Sequence, residues 1–130
     1  MRDMQQQRID DLIPDTLILV QHPEVVTLGP KAQRDGINLP SYPTRIVDRG
    51  GGITYHGPGQ WVLYPIVHLQ PGERDIRRFV CNLEEAMMQV CRDYGLEPQR
   101  SEGETGTWIG DQKIGAIGVR FARWVSSHGI

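Results

Sequence analysis

Cysteine is nearly absent from these 130 residues, and the two present, Cys81 and Cys91, have nine residues between them inside a predicted helix. That spacing suits neither a disulfide framework nor a zinc knuckle. The four histidines, His22, His56, His68 and His128, stand singly, with no H-x-x-x-H or C-x-x-C pair, so no metal is expected. Charge of one sign is missing too: 16 acidic against 14 basic residues leave a formal net charge of −2. Such a balance offers no electrostatic footprint for nucleic acid or an anionic membrane surface. Long apolar runs are lacking, since Leu17 to Val20 and Trp61 to Val67 are far too short to span a bilayer, and the N-terminus has no charged-then-apolar leader pattern. A reducing, cytoplasmic location follows as the expectation, with no membrane and no nucleic-acid partner. Internal repeats and low-complexity segments are also lacking.

What is present is glycine, concentrated in one place. Arg49-Gly50-Gly51-Gly52-Ile53-Thr54-Tyr55-His56-Gly57-Pro58-Gly59-Gln60 sets five glycines and a proline around one histidine, directly before a strong β pattern. Glycine opens positive φ and close approach to backbone N–H groups, at a cost in chain entropy that an ordinary turn does not require. The run reads as a rigidified binding loop with one cation, Arg49, one proton-transfer group, His56, and a Gly-Pro-Gly brace. With 38% hydrophobic and 23% charged residues, the whole chain, 1–130, is expected to form a single domain with one core.

Strands are predicted over Thr16 to Gln21, Val25 to Leu28 and Thr44 to Asp48, with a polar, turn-rich loop from Lys31 to Pro43. Trp61 to Leu69 reads as a strand in which Pro65 signals an edge or a bulge. From Asp75 to Tyr94, Ile76, Phe79, Val80, Leu83, Met87, Val90, Cys91 and Tyr94 recur at helical spacing, and Gly95 is the stop signal. Met87 then belongs to the core stripe and Met88 flanks it. Thr105 to Ile109 and Gln112 to Ala122, joined by Gly110-Asp111, form a predicted β-hairpin. Alternation along its second strand puts Lys113, Gly115, Ile117, Val119 and Phe121 on one face. The class is α+β, a mixed and mostly antiparallel sheet packed with helices.

Taken alone, several of these residues have plainer explanations. A lone loop histidine such as His56 more often bonds to backbone carbonyls, and a hairpin lysine such as Lys113 more often snorkels into solvent. Cys91 lies near the edge of the helix's apolar face, where a small buried hydrophobe is the usual finding, and Cys81 lies on the polar side.

The run Arg49 to Gln60 resembles the R-G-G-x-x-T-Y-H-G-P-G-Q loop of the lipoyl(octanoyl) transferases. Trp108 to Arg120 is similar to that family's lysine-bearing segment, and Ser127-His128-Gly129 to its next motif. The resemblance runs from about Leu17 to Ile130. It implies a biotin/lipoate protein ligase-like fold, here expected to be incomplete at both ends, because the family's nucleophile is a cysteine in a Pro-Cys-Gly context beyond the His-Gly motif.

The resemblance further implies protein lipoylation chemistry that needs no cofactor. Octanoate would leave octanoyl-acyl carrier protein, pass through an enzyme thioester, and reach a lysine of a lipoyl domain, in 2-oxoacid dehydrogenases or glycine cleavage H protein. Lys113 matches the lysine that tunes the cysteine. Arg49, Gly50, Gly51, Gly52, Ile53, Thr54, Tyr55, His56, Ala116, Ile117, Gly118, Gly129 and Ile130 are the candidate substrate-binding residues, with Gly115 and Gly118 leaving space for an eight-carbon chain. Two other functions compete: an ATP-dependent lipoate or biotin ligase, in which V-Y-H-D typically stands where this chain has Thr54-Tyr55-His56-Gly57, and a non-catalytic acyl-binding module. Lacking the Pro-Cys-Gly nucleophile, the chain alone is expected to be inactive.

Overall fold

Short β-branched runs between glycine and proline breaks give short strands, and the computed structural model, which describes residues 1–37 and 41–130, contains ten of them among the described residues. In chain order the elements are α1 (Arg2–Ile9), β1 (Thr16–Val20), β2 (Val25–Leu28), α2 (Pro30–Arg34), β3 (Thr44–Ile46), β4 (Ile53–His56) and β5 (Val62–Ile66). A 3-10 turn (Pro71–Glu73) leads to α3 (Ile76–Asp93), β6 (Pro98–Ser101), β7 (Glu104–Ile109), β8 (Gln112–Gly115), β9 (Gly118–Ala122) and β10 (Val125–Gly129). Of the six strand pairings only β2 with β3 is parallel, so the α+β, mostly antiparallel class is observed. The described helices include none long and apolar enough to cross a membrane.

The chain packs as two compact units. The first comprises Met1–Gln70 with Gly118–Gly129, and the second Pro71–Ile117 with Ile130.

In the first unit β2 is central, with β3 on one side and β4 on the other. Its alternation sends Val26 and Leu28 into a core with Ala32 of α2 and Ile37, while Val25 and Thr27 face the opposite side. β5 pairs with β1 and runs beside β10, where Ser126 N donates to Val67 O at 2.9 Å and Leu69 N to Trp124 O at 2.9 Å. Pro65 has no N–H to offer, and the Ser126 hydroxyl donates to its carbonyl at 2.6 Å. β9 and β10 are joined by Arg123 and Trp124, both at positive φ (47° and 64°), the geometry of a two-residue primed turn.

In the second unit α3 starts at Asp75, whose carboxylate accepts from Arg78 N at 3.0 Å, and ends before Gly95 at φ 73°. Its inward residues are Leu83, Glu84, Met88 and Cys91. β7 lies between β6 and β8.

Several expectations need correction. The Lys31–Pro43 loop contains α2, started by Pro30 at its first position, where a missing N–H costs nothing; residues 38–40 lie outside the described residues. The buried stripe of α3 is rotated, so Met88 is buried at 6% exposure whereas Ile76, Val90 and Tyr94 are exposed. The strand Gln112 to Ala122 is two strands: Trp108 faces Lys113 but Thr107 faces Gly115, so Ile114 is an extra, bulged residue. That bulge breaks the alternation on which a shared face for Lys113 through Phe121 depends.

The primed turn yields a prediction. Arg and Trp in left-handed backbone each carry a steric cost that asparagine or glycine lowers. Arg123→Asn should raise stability by about 1 kcal/mol, read as a higher urea midpoint with unchanged slope.

Candidate functional site

Arg49 organises the glycine run. The residue is 7% exposed, and its guanidinium donates inward: Nη2 to Thr27 Oγ1 (2.8 Å), Thr27 O (3.0 Å) and Gly52 O (3.2 Å), Nη1 to Gly50 O (3.0 Å), and Nε to Thr27 Oγ1 (3.3 Å). Among the described residues no carboxylate is paired with it. Burial pushes its pKa below the usual guanidinium value. Gly118 leaves room for the stem, since a Cβ there would stand 2.9 Å from Arg49 Cδ.

Of the three consecutive glycines, Gly51 takes positive φ (93°), Gly50 donates its N–H to Val119 O at 3.1 Å, and Gly52 faces open space. The loop closes on Gly29, whose N–H donates to Gly52 O at 2.8 Å and whose absent Cβ would lie 2.5 Å from Gly51 O.

The middle of the run, Ile53–His56, is strand, and Gly57 to Gln60 is a turn. β4 pairs antiparallel with β2, Thr54 opposite Thr27 and His56 opposite Val25, so Thr54 and His56 share the face on which Arg49 meets Thr27. Ile53 and Tyr55 fall on the other face, opposite Leu28 and Val26. Tyr55 folds over Gly57, its hydroxyl donating to Glu24 at 2.9 Å, and a Cβ on Gly57 would collide with that hydroxyl.

His56 Nδ1 lies 2.7 Å from Gln60 Oε1, and its ring centroid 5.4 Å from that of His22. His22 Nε2 is 2.7 Å from the Tyr64 hydroxyl. Burial lowers the His56 pKa, with His22 and Arg49 adding to the effect against the Gln60 hydrogen bond. Burial likewise raises the Tyr64 pKa, against the pull of Arg49. Sequence reasoning missed His22 and Tyr64, because each sits in a separate strand context and only the β1–β5 pairing brings them together.

The His-Gly motif is anchored to the start of the loop through Asp48. This carboxylate accepts from His128 Nε2 at 2.8 Å and Arg2 Nη2 at 3.2 Å, and is ion-paired with Arg120 Nη1 at 3.1 Å. Burial alone would raise the Asp48 pKa, but these three partners outweigh it and hold it below the ordinary carboxylate value. His128 takes φ 58°, and Gly129 packs so closely that a Cβ would stand 2.0 Å from Leu63 O.

The other candidates belong to the second unit. Lys113 Nζ is 3.7 Å from Glu104 Oε2 and 4.6 Å from the Trp108 ring centroid, with 40% of its side chain exposed. It therefore does not lie on an enclosed apolar face. Its stem crosses Gly106 (φ 140°), where a Cβ would be 2.7 Å from Lys113 Cε, and Gly106 N donates to the buried Glu84 Oε1 at 3.0 Å. Glu84 Oε2 also accepts from Arg100 Nε at 3.0 Å. Ala116 and Ile117 fall between β8 and β9, and Ile130 follows β10. Cys91 is buried and Cys81 exposed.

The family described as the lipoyl protein ligase A/B catalytic domain matches residues 1–130. The chain belongs to that family. Curated relatives of this lipoyl ligase A/B family include the octanoyltransferase of Syntrophobacter fumaroxidans, 39% identical over 99% of this chain, and that of Caldanaerobacter subterraneus, 46% identical over 88%. The chain spans 61% and 53% of the lengths of those two relatives. Among solved structures, protein Ta0514 of T. acidophilum with bound lipoic acid superposes with a TM-score of 0.66 at 18% identity, covering 88% of this chain and 52% of that one. P. falciparum LipL1 in complex with lipoate gives 0.58 at 15% identity, covering 89% and 34%. The lipoate protein ligase-like fold is thus observed.

Arg49→Met removes the guanidinium's hydrogen bonds to three carbonyls and a hydroxyl, of which Gly52 O keeps a donor in Gly29 N–H, and should cost about 3 kcal/mol, measurable by urea denaturation. For pH, the folded pKa of His56 lies below its ordinary value of 6.5, so the unfolded chain binds the proton more readily. Its contribution is fully present above pH 6.5 and is lost as pH falls from there through the folded value. The melting temperature should drop across that window, and less steeply in His56→Gln.

Proposed function

We propose that this chain carries the acyl-binding site of an octanoyltransferase. Such an enzyme moves octanoate from octanoyl-acyl carrier protein, through a cysteine thioester, to a lysine on a lipoyl domain, in 2-oxoacid dehydrogenases or glycine cleavage H protein. The observation that carries the reading is the Arg49–Gln60 segment. Its full T-Y-H-G-P-G-Q continuation is folded so that Arg49, Thr54 and His56 share one face, in a chain whose curated relatives are named octanoyltransferases.

The chemistry matches the residue types. The glycine backbone at 50–52 offers close approach to a carbonyl, and Gly52, open and needing no left-handed conformation, leaves space for the acyl group. Lys113, with its stem seated over Gly106, is the residue that would favour a thiolate and relay its proton. Neither Cys81 nor Cys91 has the Pro-Cys-Gly context, and Cys91 is buried. The nucleophile is therefore not among these two, and an amide formed on Lys113 would be a dead end. The compartment consistent with these partners is the cytoplasm.

The test combines binding with intact-mass spectrometry. Octanoyl-acyl carrier protein added to the chain should shift the backbone amide resonances of residues 49–56 without leaving an adduct, and a lipoyl domain added next should stay unmodified. Gly52→Val, which strains no backbone, should abolish that binding at unchanged melting temperature. Undiminished affinity in that variant would make the segment structural only. An octanoyl adduct on Cys81 or Cys91 that chases onto the lipoyl domain would overturn the assignment of the nucleophile. ATP-dependent formation of octanoyl adenylate would turn the reading toward a ligase.

A further inference from the structure

Gln60 ends the glycine-rich run. Its amide is pinned at both ends. Nε2 donates to the Tyr55 carbonyl at 3.3 Å, and Oε1 lies 2.7 Å from His56 Nδ1. A peptide carbonyl only accepts, so the amide nitrogen must face Tyr55 and the amide oxygen must face His56. An oxygen in that position demands a proton on Nδ1. A neutral imidazole carries one N–H, so Nε2 is left with a bare lone pair.

We propose that Gln60 is a positioning residue that holds neutral His56 in the Nδ1–H tautomer, so that His56 Nε2 accepts a hydrogen bond from an N–H or S–H donor of the substrate.

Four observations support this. The backbone fixes the spacing, because Gln60 N donates to Gly57 O at 3.1 Å and closes the turn that brings residue 60 back over residue 56. The turn is anchored in its own right, by Gly59 N donating to Gln21 Oε1 at 3.0 Å. Among the described residues Nε2 of His56 has no hydrogen-bond partner. The groups nearest this face, Arg49 and His22, disfavour a second proton on the ring. An imidazole in water favours the opposite tautomer, Nε2–H, so the hydrogen bond from Gln60 reverses the default.

The use made of the lone pair rests on the octanoyl-transfer reading, whereas the tautomer does not, so the two can fail separately. Long-range proton–nitrogen correlation spectra of the nitrogen-15-labelled chain, recorded above the titration of His56, read the tautomer directly. The wild-type chain should show His56 with a protonated Nδ1 and an unprotonated Nε2. Gln60→Leu should move it to the Nε2–H form while the signals of His68 and His128 stay in place. Gln60→Glu, which keeps an oxygen opposite Nδ1, should restore the Nδ1–H form. An Nε2–H signal for His56 in the wild-type chain overturns the proposal even if the variants do not fold, and so does an Nδ1–H form that persists in folded Gln60→Leu. Retained Nδ1–H together with no response of the His56 Nε2 resonance to octanoyl-acyl carrier protein would overturn the acceptor role and leave the tautomer standing.

Discussion

The first unit depends on a cation that is buried, among the described residues, without a carboxylate partner. Enclosing a guanidinium carries a desolvation cost, and here neutral acceptors offset it: the hydroxyl and carbonyl of Thr27 and the carbonyls of Gly50 and Gly52. Arg49 is thereby committed to folding the loop it begins, and the glycines are the groups it folds. Gly51 supplies the left-handed step, Gly29 and Gly118 give way to backbone and stem, and the carbonyls converge on one charge. A lysine, with a single point charge, does not reach this many acceptors in a plane.

The second unit solves a similar problem with the opposite sign. Glu84, buried on α3, accepts from Gly106 N and from Arg100, which fixes a glycine at φ 140° in β7. The missing Cβ at Gly106 is where the stem of Lys113 crosses, and Trp108, opposite Lys113 in register, supports the ammonium. In each unit a buried ion holds glycine backbone, and a glycine makes room for a long cationic side chain.

Legibility in the sequence followed the strength of local signals. β2 and α3 were readable because their apolar periods and stop residues agree, and the glycine run because its composition is extreme. α1 was not, since its Gln-rich sequence carries no apolar stripe; Gln5 is held instead by a side-chain bond to Val125 O at 2.8 Å, a contact between residues 120 apart. The β9–β10 hairpin was hidden because Arg123-Trp124 takes a turn geometry usually marked by Asn-Gly. Glu84 lies one turn before Met88 on the buried face, and nothing in the sequence marks a carboxylate that will be enclosed. The bulge at Ile114 is set by pairing with β7, so a face read by strict alternation from Lys113 to Phe121 could not survive it.

The same constraint explains why a motif read as one unit divides in two once folded. β4 carries four consecutive motif residues, and a strand sends neighbours to opposite faces. Thr54 and His56 join Arg49, whereas Tyr55 is tied to Glu24 and covers Gly57. Tyr55 nevertheless reaches the chemistry of the other face through its backbone: its carbonyl orients the Gln60 amide, and that amide orients the His56 ring. In this segment the structural half sets the state of the chemical half.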